Sequence, residues 1–193
     1  MERGLARLEL HHGPGFGDHG SRVALLSVAA ARHLGLRTHE INRLQFAALV
    51  HDVGKVEVDA AILEKTSALT TDEEHMIRQH PKMGADRLGD VAHPTVVEAV
   101  LCHHERWDGG GFPLGLRRKE IPLYARIIFV ADAYDVMTTG RSYRPQMTME
   151  QAGAELLRMA NRQFDPKVVD AFAFIDRSLL ASPIGDRESL LDG

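Results

Sequence analysis

A chain of 193 residues, 44% of them hydrophobic, is long enough for one domain with its own core, and its net charge of -4 excludes the broad basic stripe of a protein that binds nucleic acid polymers. That charge does not exclude a small anionic substrate, because bound metal cations supply positive charge locally. The single cysteine, Cys102, excludes an internal disulfide and fits a reducing compartment; with no apolar leader and no apolar run near the ~20 residues of a membrane span, the chain reads as cytoplasmic, with no membrane partner.

Helical periodicity dominates. A stripe of Val23, Leu26, Ala30 and Leu34 predicts a helix over about Ser21 to Leu34, ended by Gly35. A second begins near Thr38, carries Ile41, Leu44, Ala48 and Val50 into His51-Asp52, and stops at Gly54. A short segment follows around Asp59 to Leu63. Thr71-Asp72-Glu73-Glu74 has capping-box spacing, Pro81 opens a stretch to Leu88, and Pro94 suits the first turn of a helix that ends in His103-His104. A glycine cluster, Gly109-Gly110-Gly111, then starts a loop with the basic run Arg117-Arg118-Lys119; such a connection is mobile by default and a natural place for function. Pro122 opens an apolar helix ended by Gly140, Thr148 to Gln151 forms another capping box, and Asp165-Pro166 starts the last helix. No alternating strand pattern or repeat is present. The expected fold is all-α, a helical domain with sites built from side chains on facing helices, occupying residues 18–181 between a lead-in of 1–17 and a tail of 182–193.

Histidine is the unusual residue, 11 in all. His19, His51-Asp52, His80, His103-His104 and Asp132 fall on or at the ends of five predicted helices, each within apolar sequence. An unpaired carboxylate on such a face is costly to bury; coordination of a divalent metal by imidazole and carboxylate removes that cost. Taken singly, each has a plainer reading: a buried histidine is more often a hydrogen-bonded core residue, and Asp132 could pair with Arg126. Together, on separate inward faces, they point to metal. The remaining histidines, His11, His12, His33, His39, His75 and His93, read as solvated or capping positions, and Cys102 as a small buried hydrophobe.

His51-Asp52-Val53-Gly54-Lys55 resembles the HD signature. His103-His104-Glu105-Arg106-Trp107-Asp108-Gly109-Gly110-Gly111-Phe112-Pro113 resembles the long motif of the HD-GYP family, and the block from Ala125 to Asp135 followed by Arg141-Ser142-Tyr143-Arg144 resembles that family's next motif. His19-Gly20-Ser21-Arg22-Val23 and His80-Pro81 with Gly84 fit as well. The resemblance runs in order from about residue 18 to residue 175. It implies an HD-domain bundle in which His19, His51, Asp52, His80, His103, His104 and Asp132 are metal ligands, Asp52 bridges two metals, Lys55 contacts the scissile phosphate, and Arg141 and Arg144 hold a dinucleotide. Asp135, one turn from Asp132, would support a ligand or contact substrate. Phe112 stands where the family motif has tyrosine, keeping a ring for packing or base stacking without the hydroxyl. Trp107 is either a lid anchor or a stacking platform. Gly15 stands where some members carry a glutamate that helps hold a third metal, so the resemblance points to two.

The activity so implied is hydrolysis of cyclic di-GMP to linear pGpG, and in some members on to GMP, in bacterial second-messenger signalling, with two divalent ions, iron or manganese foremost. A diguanylate cyclase, or a sensor or receiver domain, is the implied partner. One alternative is an HD phosphohydrolase acting on another nucleotide or a hybrid cyclic dinucleotide. Another is a non-catalytic module that binds nucleotide or a cyclase; a full ligand set argues against it.

Overall fold

Start and stop signals in the sequence set most of the element boundaries. The structure, a computed structural model, describes residues 16–139, 146–173 and 175. Its helices are α1 (Phe16–His33), α2 (Thr38–Val50), α3 (Ala60–Leu63), α4 (Thr71–Ile77), α5 (His80–Leu88), α6 (Pro94–Cys102), α7 (Leu123–Thr139), α8 (Met149–Met159) and α9 (Pro166–Ala173), with 3-10 turns at Val53–Glu57 and Arg118–Glu120. No strand occurs among the described residues, so the all-α expectation holds. None of the described helices is long and apolar enough to cross a membrane.

The caps are local chemistry. Gly35, at φ +76°, sits just past α1, and the N–H of Leu36 reaches back to Ala31 O at 3.0 Å; a glycine takes this left-handed position without strain. His93 caps α6, its Nδ1 accepting from Thr95 N, and Pro94 follows in the first turn. Thr148 and Gln151 make the expected capping box of α8. The box of α4 is one residue earlier than expected, between Thr70 and Glu73. Two overlapping threonine–glutamate pairs compete there, and Lys65 is bound to Glu73, with Nζ 2.6 Å from Oε2, on the side of the earlier pair. Helix α1 begins at Phe16 rather than near Ser21, so His19 lies inside it.

Helix α1 packs on α2, α7 and α9, while α6 packs on α2, α5 and α7. Many contact positions are small: Ala30, Ala31, Ala47, Ala48, Ala99 and Ala131 are fully buried. They let helix axes approach closely, and Leu26, Leu44, Ile127 and Ile128 fill the space between. A second apolar group, Val50, Val53, Leu88 and Val100, lies where α5 and α6 meet the first 3-10 turn. The chain's ionisable residues in apolar sequence collect at these helix meetings.

Candidate metal centre

Three histidines share one local device. His51 caps the C-terminus of α2, His103 caps that of α6, and His80 follows closely on α4. In each, Nδ1 donates to the carbonyl three residues earlier: Ala48 O at 2.7 Å, Val100 O at 2.6 Å and Ile77 O at 2.7 Å. Carbonyls in the last turn of a helix lack a partner within it, so the ring satisfies the helix end and the helix end fixes the ring. A carbonyl only accepts, so Nδ1 carries the proton and, in the neutral ring, Nε2 presents a bare lone pair.

Those Nε2 atoms converge. Asp52, His80, His103 and His104 form one group and His19, His51 and Asp132 another, and within each group one ligand atom per residue lies within 4.8 Å of the others. All seven expected ligands are therefore brought together, in two sets. Asp52 stands between the sets: Oδ1 is 3.2 Å from His80 Nε2 and 3.9 Å from His103 Nε2, while Oδ2 is 3.6 Å from His51 Nε2. Lys55 Nζ lies 2.5 Å from the same Oδ2.

The donor set fits a divalent cation. His80 Nε2 and His103 Nε2 are 3.2 Å apart, and with both Nδ1 protons in place their lone pairs oppose each other beside a carboxylate. His51 Nε2 is buried with no hydrogen-bond partner. A metal among such atoms turns repulsion into coordination. Burial, then the neighbouring His104, His51 and His80, holds His103 well below the usual imidazole range, and burial followed by His80 pushes His104 down to about 3, so both stay neutral, the form in which imidazole can coordinate. Burial would raise Asp52, but Lys55, His51 and His80 outweigh it and hold the carboxyl well below its ordinary value. Burial also opposes charge on His19, yet its bonds to Asp132 and Asp135 push it up to about 9. A positive charge is favoured at that point.

The glycine loop is a pinned structure rather than a mobile one. Glu105 is 1% exposed, and its Oε1 accepts from the backbone N–H of Leu114 at 2.6 Å and of Gly115 at 3.1 Å, folding the loop back onto α6. A Cβ on Gly111 would lie 2.3 Å from Arg106 N and 2.6 Å from His104 O, so only glycine permits this approach. Trp107 N–H donates to Gln163 O, its indole lies beside the Arg126 guanidinium, 5.9 Å from the ring centroid, and Arg126 Nη1 donates to Asp165 at 2.5 Å. Trp107 is thus an anchor between loop and bundle. Arg126 is committed to Asp165, and Asp132 instead faces His19, 3.2 Å away. Arg117, Arg118 and Lys119 are exposed, as are His33, His39, His75 and His93.

An HD domain model matches residues 6–168, most of the chain and all of both ligand groups. The chain belongs to the HD domain family. It is 35% identical over 164 residues to a cyclic di-GMP phosphodiesterase of Thermotoga maritima, covering 83% of this chain and 45% of that protein. It is 36% identical over 161 residues to the 3′3′-cGAMP-specific phosphodiesterase 2 of Vibrio cholerae, covering 80% of this chain and 30% of that protein. Its fold resembles that of an HDG"Y"P protein from Bdellovibrio bacteriovorus, with a TM-score of 0.69 at 21% identity, covering 94% of this chain and 58% of that one. The chain spans less than half the length of these two curated relatives. Its motifs resemble those of the HD-GYP branch of the family. HD domain phosphohydrolases are metal-dependent, and this HD domain carries a His/Asp cluster suited to that.

Within this HD domain two residues that motif spacing alone does not single out are important for geometry. One is Glu105. The other is Arg22, whose Nε and Nη2 donate to Asp135 Oδ1 and Oδ2 at 2.5 and 3.0 Å. Asp135 in turn accepts from His19 Nδ1 at 2.7 Å and is 3% exposed. Both its oxygens are engaged, which fits the first of the two roles expected of it, support of the candidate ligand His19. The spacing signal was present, since Asp135 lies one turn from Asp132, but the identity of its partner is a tertiary fact. Arg141, Arg144 and Gly15 lie outside the described residues. Asp135→Asn removes the charged acceptor behind His19 and is expected to weaken metal binding about 10–100-fold, read by calorimetric titration of metal-free protein. A raised KM with unchanged metal affinity would restore the substrate-contact reading.

Proposed function

We propose that this chain is a metal-dependent phosphodiesterase that hydrolyses cyclic di-GMP to linear pGpG. The observation that carries this reading is Asp52 facing two separate donor groups with one oxygen toward each. His19, His51 and Asp132 would hold one ion, and His80, His103 and His104 the other, with Asp52 shared. Such a pair of ions lowers the pKa of water and stabilises charge on a phosphate undergoing in-line displacement. Iron and manganese suit a donor set of imidazole and carboxylate without thiolate.

The chain's own residues do the rest. The buried imidazoles, kept neutral, stay available as ligands. Lys55 brings a cation to the edge of the centre, beside Asp52 Oδ2, and is assigned to a non-bridging phosphate oxygen. Arg141 and Arg144 are assigned to the dinucleotide. The catalytic unit is residues 18–181, and a cyclase, sensor or receiver domain is its proposed partner. A second reading has direct support: a relative of similar identity is named 3′3′-cGAMP-specific, so a hybrid dinucleotide is the competing substrate.

The test is anaerobic purification, metal analysis, and incubation with cyclic di-GMP or 3′3′-cGAMP under Fe(II) or Mn(II), with products separated by chromatography. Roughly two metals per chain and pGpG as product are expected. Faster turnover of 3′3′-cGAMP would favour the second reading, and GMP as end product would argue for a third ion. No turnover of either substrate by metal-loaded protein would overturn the assignment.

A further inference from the structure

Five histidine rings meet in this centre, and four have hydrogen-bonded anchors: backbone carbonyls for His51, His80 and His103, and Asp135 for His19. Such an outer bond fixes the tautomer and plane of a metal-binding imidazole. His104 is different. Among the described residues neither of its ring nitrogens has a hydrogen-bond partner. Its anchor is a ring: Phe112 stacks on it, with centroids 4.8 Å and planes 23° apart.

Phe112 is in turn held from two directions. Its N–H donates to His104 O at 3.3 Å, across the close approach that Gly111 permits. The Arg78 guanidinium lies 5.2 Å from its ring centroid, within the range of cation–π attraction. Arg78 comes from the C-cap of α4 and is itself fixed by Glu74, whose Oε1 accepts from Nε at 3.1 Å and Nη2 at 2.7 Å. The series Glu74, Arg78, Phe112, His104 therefore runs from the surface to the centre.

We infer that Phe112 is a positioning residue for His104, its ring taking the place of the hydrogen bond that orients the other four histidines, with Arg78 holding that ring in place. The inference rests on reading His104 as a metal ligand. It gives a physical reason why phenylalanine serves where the motif has tyrosine: a stacked ring is required, and its hydroxyl is not. It also separates Phe112 from base stacking, since the ring already lies against an imidazole and a guanidinium.

The experiment is titration of the metal-free full chain with Co(II), followed by visible d–d absorption and by heat. Wild type is expected to take up two ions in resolvable events, and His104→Ala identifies the event that depends on this ligand. Phe112→Leu keeps apolar bulk but loses the ring plane; it should weaken that one event about tenfold or more and change its absorption, with the other event unchanged. Phe112→Tyr should restore the wild-type titration, and Arg78→Met should weaken the same event about threefold. Wild-type affinity in Phe112→Leu overturns the positioning role while leaving the metal reading intact. Equal weakening of both events also overturns it, because the effect is then on the fold at large. If wild type binds no Co(II), or His104→Ala changes neither event, the ligand reading falls and the inference with it.

Discussion

Asp52→Asn is expected to lower kcat/KM for the cyclic dinucleotide about a thousandfold, an effect of about 4 kcal/mol on the barrier, and to reduce the metal content of the purified protein. The substitution preserves shape and removes one negative charge from the point where both donor groups meet. His80 Nε2, 3.2 Å from Oδ1, and His51 Nε2, 3.6 Å from Oδ2, face opposite ends of this one carboxylate. Every other candidate donor belongs to a single group, so its loss leaves the second group complete; Asp52 belongs to the group of His80, His103 and His104 and also reaches His51 of the other. Burial of the carboxylate is unfavourable by itself but is outweighed by Lys55 and the histidines, so metal-free Asp52→Asn, which leaves Lys55 beside a neutral amide, should melt below metal-free wild type, and added Mn(II) should raise the melting temperature of wild type far more than that of the variant. Metal analysis, steady-state kinetics and melts with and without Mn(II) decide the point. Full activity with unchanged metal content would remove Asp52 from the shared position.

The helices were legible because their signals are local. Pro94, the Thr148–Gln151 box and Gly35 each act within a few residues of themselves, and each appears where expected. The α4 box was misread by one residue because Thr70–Glu73 and Thr71–Glu74 offer the same spacing, and Lys65, outside the pattern, binds Glu73. The histidines were legible as a set because each stands in apolar sequence, where a polar group needs a reason. Their division into two groups was not legible from spacing: it depends on α1 and α7 converging on one side of Asp52 and α5 and α6 on the other. The loop after His104 was misjudged for the same reason. Its glycines look like freedom, whereas Glu105 and Gly111 make it a close backbone contact. Arg78 carried no signal at all, since an exposed arginine four residues after a glutamate reads as a helix-surface pair.

Gly54→Ala is expected to destabilise the protein by about 3 kcal/mol or more, a fall in melting temperature of roughly 6–12 °C for a chain of this size. Gly54 is not in the left-handed region, so the cost is steric rather than conformational. A Cβ there would lie 2.0 Å from His80 O and 2.5 Å from Gly84 N, and neither is the end of a side chain that can swing away. The first 3-10 turn and the start of α5 are in backbone contact at this point, beside the 3.2 Å approach of Asp52 Oδ1 to His80 Nε2. Opening it by the width of a methyl group separates two members of one donor group, so metal affinity of the Asp52, His80, His103 and His104 group should fall with stability. Gly84→Ala provides the comparison. Its Cβ would meet Val100 Cγ1 at 3.0 Å, Val53 Cγ1 at 3.2 Å and the backbone Gly54 N at 3.2 Å, approaches that a shift of a few tenths of an ångström relieves, and a smaller loss of about 1 kcal/mol is expected. Thermal melts of both metal-free variants, with Mn(II) titrations beside them, measure the two effects separately. A Gly54→Ala protein that melts like wild type and binds Mn(II) equally well would mean that the turn can move off α5 without disturbing the centre, and that the glycine after the His-Asp pair does not set its geometry.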